Sequence, residues 1–527
     1  MAAFPSPSGR SGGGLVYIYM YMKKLFPIIW GVVFAVVAWL RLVVQNSDLL
    51  IEAQDQGFWQ PGELYYSQVL QQPGGWFSWA GQYLTQYFFY PAWGASLLIL
   101  LWLGIYVLSL YGWRLPWYLC WVALVIPAML LWAETSMGYY IYISKVPDWW
   151  FAPTLFFAAV AVVMAAGHWF SVPWRASWQA VCLGVAFFLS HQWLQESQVP
   201  DHLQKPFCSA LDDNNFRAEM RMERAAEEAD WSTLLSEMRA AGSSPTRAMW
   251  LLKNVALLNQ GQLSQRWLDY PCMTQLPAFG DSLIVPLVYS QGPMIYFLHG
   301  STEFAYRWSM ENMVEFGPSM KRLRMMTRCA LAKGEWELAE KYLNLLSRTK
   351  FHRDWAARQS AFVRHPERLD KDAFYALAIK LSKSRYNLLD GDNGNLETYI
   401  VNNYAEGEHF ACPEMSELGL VYAMQSQNIQ LFWRRFFDYA NSMPTEEMPL
   451  LFQQAAYLFV KLEPQTAPRT DFPFNPDVPK CFERFNAVAT QFAQKGVKEA
   501  DLPKALSREF GKTYFWFYYF CRGQMEY

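Results

Sequence analysis

LFPIIWGVVFAVVAWLRLVV, residues 25–44, is a run of twenty residues with Arg41 as its one charge. A helix of about 20 apolar residues matches the hydrocarbon thickness of a bilayer. Four further runs of this kind follow, at 92–111, 115–133, 150–170 and 178–194. After Leu194 the chain continues for about 330 residues without another. The pattern predicts an all-α protein, with an N-terminal multipass transmembrane helical domain followed by a soluble α-helical hairpin (solenoid-like) domain.

The gradient in composition says the same. Seventeen of the 25 Trp precede residue 195, while only ten charged residues lie between Leu25 and Leu194. Aromatic-rich, charge-poor sequence is that of lipid-facing helices with aromatic belts at their ends. The formal net charge of −2 gives no footing for nucleic acid, which needs a basic surface. The expected partners are the lipid bilayer and a protein partner on the second half, with no nucleic acid. The domains are expected at 22–199 (membrane, with a long loop at 45–91) and 200–527 (soluble). Met22-Lys23-Lys24 resembles a start site with a basic flank, so residues 1–21 are expected to be a disordered or spurious extension. No small-residue cleavage site follows the first run, which therefore reads as an uncleaved anchor.

Short-loop basic residues orient such a bundle. A cytoplasmic N-terminus puts Lys23, Lys24, Arg114 and Arg175 inside and leaves Lys145 outside. The 45–91 loop has no Lys or Arg and carries Asp48, Glu52, Asp55 and Glu63, which favours the outer face. Five crossings would then place everything after Leu194 outside the cytoplasm, in a bacterial inner (plasma) membrane protein; Lys205 opposes this weakly.

Beyond Pro200 apolar residues recur at i, i+3, i+4 and i+7, the period of an amphipathic helix. In Arg322–Arg348, Leu323, Met326 and Ala330 mark one helix face, Gly334 permits a turn, and Ala339, Leu343 and Leu346 mark the facing helix. This is the packing logic of a tetratricopeptide hairpin, without its usual aromatic at the centre of the first helix. Further hairpins are expected at 216–241 (turn at Ala229-Asp230), 245–268 (turn at Gln260-Gly261) and 416–442 (turn at Gln427-Asn428), with another apolar helix in 444–462. Stacked hairpins bury a continuous core and commonly offer a concave binding face. The aromatic run Thr513–Phe520 is too short to span a bilayer and is expected to cap that core or to lie on the membrane.

Motifs for chemistry are sparse. Gly280-Asp-Ser-Leu283 spells the start of a lipase motif, but a Pro-broken loop precedes it and the late Asp-x-x-His block is missing, so it reads as a chance tetrapeptide. Asp390-Gly-Asp-Asn-Gly-Asn395 has its Gly misplaced for a calcium loop, and Val401 stands where a bidentate Glu is needed. The eight Cys show no zinc spacing; Cys120 and Cys182 lie in apolar runs, while Cys208, Cys272, Cys329, Cys412, Cys481 and Cys521 are scattered. No cofactor or metal is expected. His168 and His191, near run ends, read as interface anchors or interhelical hydrogen bonders rather than as a proton relay.

The acidic loop is the one candidate site. Asp48, Glu52 and Asp55 share a helical face, and Trp76–Tyr90 is an aromatic amphipathic stretch suited to an interface. The layout resembles the integral-membrane glycosyltransferases that use lipid-phosphate sugar donors. That resemblance implies a base or metal-binding acid in the first outer loop, with Glu52 or Asp55 at the matching position. The alternative is that these acids only keep the loop solvated and outside.

Over nearly the whole chain from Met22 the sequence resembles an uncharacterised family of multipass membrane proteins from Bacteroidota. The resemblance rests on Gln72-Pro-Gly-Gly75 through Gln86-Tyr-Phe-Phe-Tyr-Pro91, on Phe304-Ala-Tyr-Arg-Trp308 with Val314-Glu-Phe-Gly-Pro318, and on Phe510-Gly-Lys-Thr-Tyr514. It implies architecture and a membrane location but no catalytic residue. An envelope interaction protein is the first reading, a membrane glycosyltransferase the alternative, and a transporter component the third.

Overall fold

A computed structural model describes residues 11–71, 74–136, 150–196, 215–241, 245–271, 291–384, 404, 412–443, 447–465, 467–468 and 472–521. Among them are helices and turns and no strand. The chain divides into two compact units. The first is Met1–Leu211 together with Pro318–Lys321 and Arg348–Arg353; the second is Asp212–Gly317, Arg322–Ser347 and Asp354–Tyr527.

In the first unit α1 (Ser11–Trp39) ends in a wide π turn over Leu40–Val44. Three short helices follow, α2 (Ser47–Gln56), α3 (Glu63–Leu70) and α4 (Gly75–Thr85), and a 3-10 turn (Gln86–Phe89) leads into α5 (Pro91–Trp113). A 3-10 segment (Trp117–Leu124) runs into α6 (Val125–Ser136), and α7 (Phe151–Ala165) and α8 (Val172–Glu196) complete the set. Among the described residues four helical stretches are long and apolar enough to cross a membrane: Leu25–Val44, Pro91–Trp113, Trp117–Thr135 and Phe151–Trp169. The fifth expected run lies inside the 25-residue α8 but is not one of these four. Gln179, His191 and Gln192 dilute its apolarity, although Val181, Val185, Phe188 and Leu189 are exposed on it. Helix begins at Ser11, so 11–21, expected as a disordered or spurious extension, continues α1.

The hub of the unit is α5, on which α1, α6 and α7 all pack. In lipid, helices associate through close packing and shared hydrogen bonds rather than through water exclusion. Gly112 supplies the close packing: a Cβ there would stand 2.9 Å from the Met164 carbonyl oxygen. The hydrogen bonds are Trp102 Nε1 to Thr154 Oγ1 at 3.0 Å and Tyr106 Oη to the Pro27 carbonyl at 3.0 Å. His168 behaves as an interhelical anchor: its ring stacks on Tyr111 at 3.9 Å and its Nδ1 lies 2.8 Å from the Tyr111 carbonyl. His191 is exposed and stacks on Phe187.

The second unit is a succession of helices: α9 (Phe216–Glu227), α10 (Trp231–Ala240), α11 (Arg247–Asn259), α12 (Leu263–Arg266), α13 (Gly292–Leu298), α14 (Thr302–Phe316), α15 (Met320–Lys333, entering the unit at Arg322), α16 (Trp336–Ser347), α17 (Arg353–Arg364), α18 (Tyr375–Lys383), α19 (Pro413–Gln425), α20 (Ile429–Ser442), α21 (Leu450–Leu462), α22 (Asp477–Gln494), α23 (Leu502–Phe510) and α24 (Tyr514–Phe520). Helix pairs stand at the expected places, and α9–α10, α11–α12 and α19–α20 pack against one another. Leu323, Met326, Ala330, Ala339, Leu343 and Leu346 are all buried, each at most 4% exposed, so α15 and α16 turn the predicted faces inward.

One turn recurs. A residue with positive φ ends the first helix, and the next residue's N–H reaches back five positions: Asp230 to Ala225 O, Gln262 to Leu257 O, Ser301 to Tyr296 O, Glu335 to Ala330 O and Val497 to Phe492 O, at 2.8–3.1 Å. This is the Schellman closure, which satisfies carbonyls a helix end would otherwise leave orphaned. Four of the five turns use Gly and one uses Ala229. The α13–α14 hairpin, turning at Gly300, is an addition to those expected from sequence. The terminal aromatic run packs into the core: Tyr514 donates to the Met424 carbonyl at 2.7 Å, and Phe517 meets Trp267 at 4.9 Å.

Candidate functional site

The acids of the first loop sit on α2, whose Leu49, Leu50 and Ala53 are fully buried. Burying those three also draws in polar neighbours, since Glu52, Gln54 and Gln56 are each no more than 6% exposed. A buried carboxylate needs a cation and hydrogen-bond donors. Glu52 has both. Lys321 Nζ lies 3.1 Å from its Oε1 and 3.4 Å from its Oε2, and Gln56 Nε2 donates to Oε1 at 2.7 Å. Both partners of the ion pair are largely buried, with side chains 14% and 8% exposed. Two more bonds hold the same segments: Met320 N–H to the Gly57 carbonyl at 3.0 Å, and Gln54 Nε2 to His352 Nε2 at 2.6 Å. All of these residues belong to the first unit.

Asp48 and Asp55 are half-buried and also engaged with partners. The three acids therefore share a helix face, as the spacing requires, but Glu52 is bound up by Lys321 and Gln56. Glu134 has other company. It is 1% exposed, its Oε1 lies 3.2 Å from Thr154 Oγ1, and its Oε2 has no hydrogen-bond partner. Thr154 also meets Trp102 and, at 3.1 Å, the Trp150 carbonyl. Among the described residues no three His, Cys, Asp or Glu side chains come together in a set that could hold a metal ion.

At the end of the loop an aromatic group surrounds the Arg348–Arg353 segment. Phe351 stacks on Phe89 at 5.3 Å and meets Tyr90 edge-on at 5.9 Å. Lys350 Nζ bonds to Tyr87 Oη at 2.6 Å and lies 4.1 Å from the ring centroid. The Lys350 bond, aided by one from Tyr83, draws the Tyr87 hydroxyl below its ordinary value; the bond to Tyr87 pushes Tyr83 up. Sequence reasoning missed Lys321, Lys350 and His352. They stand 263–298 positions from their partners, and no local pattern announces such pairs.

Cys120, Cys182, Cys329, Cys412 and Cys481 carry free thiols. Gly280–Leu283, Asp390–Asn395, Cys208 and Cys272 lie outside the described residues.

The chain matches the Family of unknown function (DUF6057) over residues 20–190 and 113–522. It belongs to that family. No curated protein and no solved structure matches it. Membership in DUF6057 covers both units and brings no assigned activity, so function rests on the geometry of the loop.

Proposed function

We propose that this DUF6057 member is an interaction protein of the bacterial envelope. Its apolar helices, with the 25-residue α8 as a fifth crossing beside the four long apolar stretches, anchor it in the inner membrane with the N-terminus in the cytoplasm, and its tetratricopeptide-like hairpins form a binding surface for a protein partner outside. The observation that carries this reading is the Glu52–Lys321 pair. A base or metal ligand needs lone pairs free to meet a substrate or ion, whereas both Glu52 oxygens face Lys321 and one also accepts from Gln56. The acid supports the loop's structure, and the recurrent hairpins are the feature left to bind.

A second reading, a membrane glycosyltransferase using a lipid-linked sugar donor, draws support from Asp55. It lies on the same helix, half-buried, after the first span. The two separate experimentally. A photo-crosslinking side chain at exposed Glu337, Glu340 or Lys341 is expected to give one discrete protein adduct in cells, and Asp55→Asn is expected to complement a strain lacking the chain. No adduct, together with loss of complementation by a stable, membrane-inserted Asp55→Asn protein, would favour the enzyme.

A further inference from the structure

A span that begins at Pro91 puts Tyr90 and Trp93, 55% and 70% exposed, at the level of the lipid headgroups. Aromatic residues at that level usually have Lys or Arg beside them to meet phosphates. The 45–91 loop has neither. Instead, a turn some 260 residues further on brings cations to this place. In Arg348-Thr-Lys-Phe-His-Arg353, Thr349 and His352 are buried, while Arg348, Lys350 and Arg353 are exposed. Phe351, between them, contacts Phe89 and Tyr90, the last residues before the span. Lys350 is braced on Tyr87, in the turn that enters the span. The turn is therefore held at the depth of the headgroups by its buried residues and turns its charges outward.

We propose that the Arg348–Arg353 turn is a binding site for anionic phospholipid headgroups, with Arg348 and Lys350 as the phosphate-contacting cations. Three features point to this ligand rather than to a soluble anion. The site adjoins the start of a membrane-spanning helix, its exposed neighbours Tyr90 and Trp93 are interfacial in type, and the loop it sits on supplies acids but no base. Each basic residue near an anionic surface favours binding by about 1 kcal/mol, roughly fivefold. Losing both should lower anionic-lipid retention by a factor of roughly 25 at low salt, and by less as salt screens the charges.

The full-length protein and the Arg348→Gln/Lys350→Gln variant would be placed in nanodiscs of zwitterionic lipid containing a minor fraction of phosphatidylglycerol. The lipids kept on release into mild detergent would then be counted by native mass spectrometry. Wild type is expected to retain phosphatidylglycerol above its share of the disc, with the excess lost in the variant and reduced at high salt. Circular dichroism and thermal unfolding in zwitterionic lipid serve as the folding control, with Arg358→Gln, an exposed change outside the turn, as a second variant of the same charge type. Equal retention by wild type and double variant overturns the proposal. So does equal loss in Arg358→Gln, or displacement of the lipid by millimolar inorganic phosphate, which would show a soluble-anion site instead.

Discussion

Lys321→Met is expected to destabilise the first unit by about 3–5 kcal/mol, the cost of leaving a buried carboxylate without its cation. Glu52 cannot turn to water, because it lies on the buried face of α2 between Leu49 and Ala53, both 0% exposed. Gln56 remains as a donor, but one neutral hydrogen bond does not replace the ion pair. Glu52→Gln alone should cost less, since a Lys near the edge of the site reaches solvent more easily. Combining the two removes both charges and should cost less than the sum of the singles by about 1–3 kcal/mol. Chemical unfolding of the four proteins in one detergent, read by tryptophan fluorescence, measures that coupling. Additive effects would mean that the pair contributes nothing specific.

The second large effect is at Gly300. Its φ is +76°, and a Cβ there would stand 2.6 Å from the Ser382 backbone nitrogen. Gly300→Ala therefore meets two penalties, the left-handed conformation of an L-residue and a clash with backbone that cannot rotate away. A loss of about 3 kcal/mol or more is expected. Gly334→Ala is the matched control. Its φ is +77° in the same kind of turn, but the nearest atom to its added Cβ belongs to the Trp336 side chain at 3.5 Å, which is ordinary contact. About 1 kcal/mol should be lost there. Comparable losses at the two glycines would show that the α18 backbone does not press on the α13–α14 turn.

How much could be read from the chain depends on how local the determining physics is. Helical periodicity and Gly-type turns act within about 25 residues, so the α15–α16 hairpin, its inward residues and its turn at Gly334 were legible. Four runs long and apolar enough to cross a membrane were legible for the same reason, since length and apolarity are properties of one segment. The α8 run is less apolar than those four, because Gln179, His191 and Gln192 interrupt it. The Gly300 hairpin was readable in principle, with an apolar Met294–Leu298 run stopping at a Gly, but its first helix is only seven residues long. The acids on α2 were found, since spacing places them on one face. The cation beside Glu52 was not, because Lys321 is contributed by a distant segment. A buried Glu demands a cation from somewhere, and only the folded chain says from where.

On the reading proposed above, Glu52 serves structure through Lys321 and does no chemistry. The decisive experiment is complementation of a strain lacking the chain by the doubly neutral Glu52→Gln/Lys321→Met protein, with its membrane level checked. Growth equal to that given by wild type is the predicted result. A double variant present in the membrane at wild-type level and folded, yet unable to complement, would contradict it and place function on the Glu52–Lys321 charges themselves.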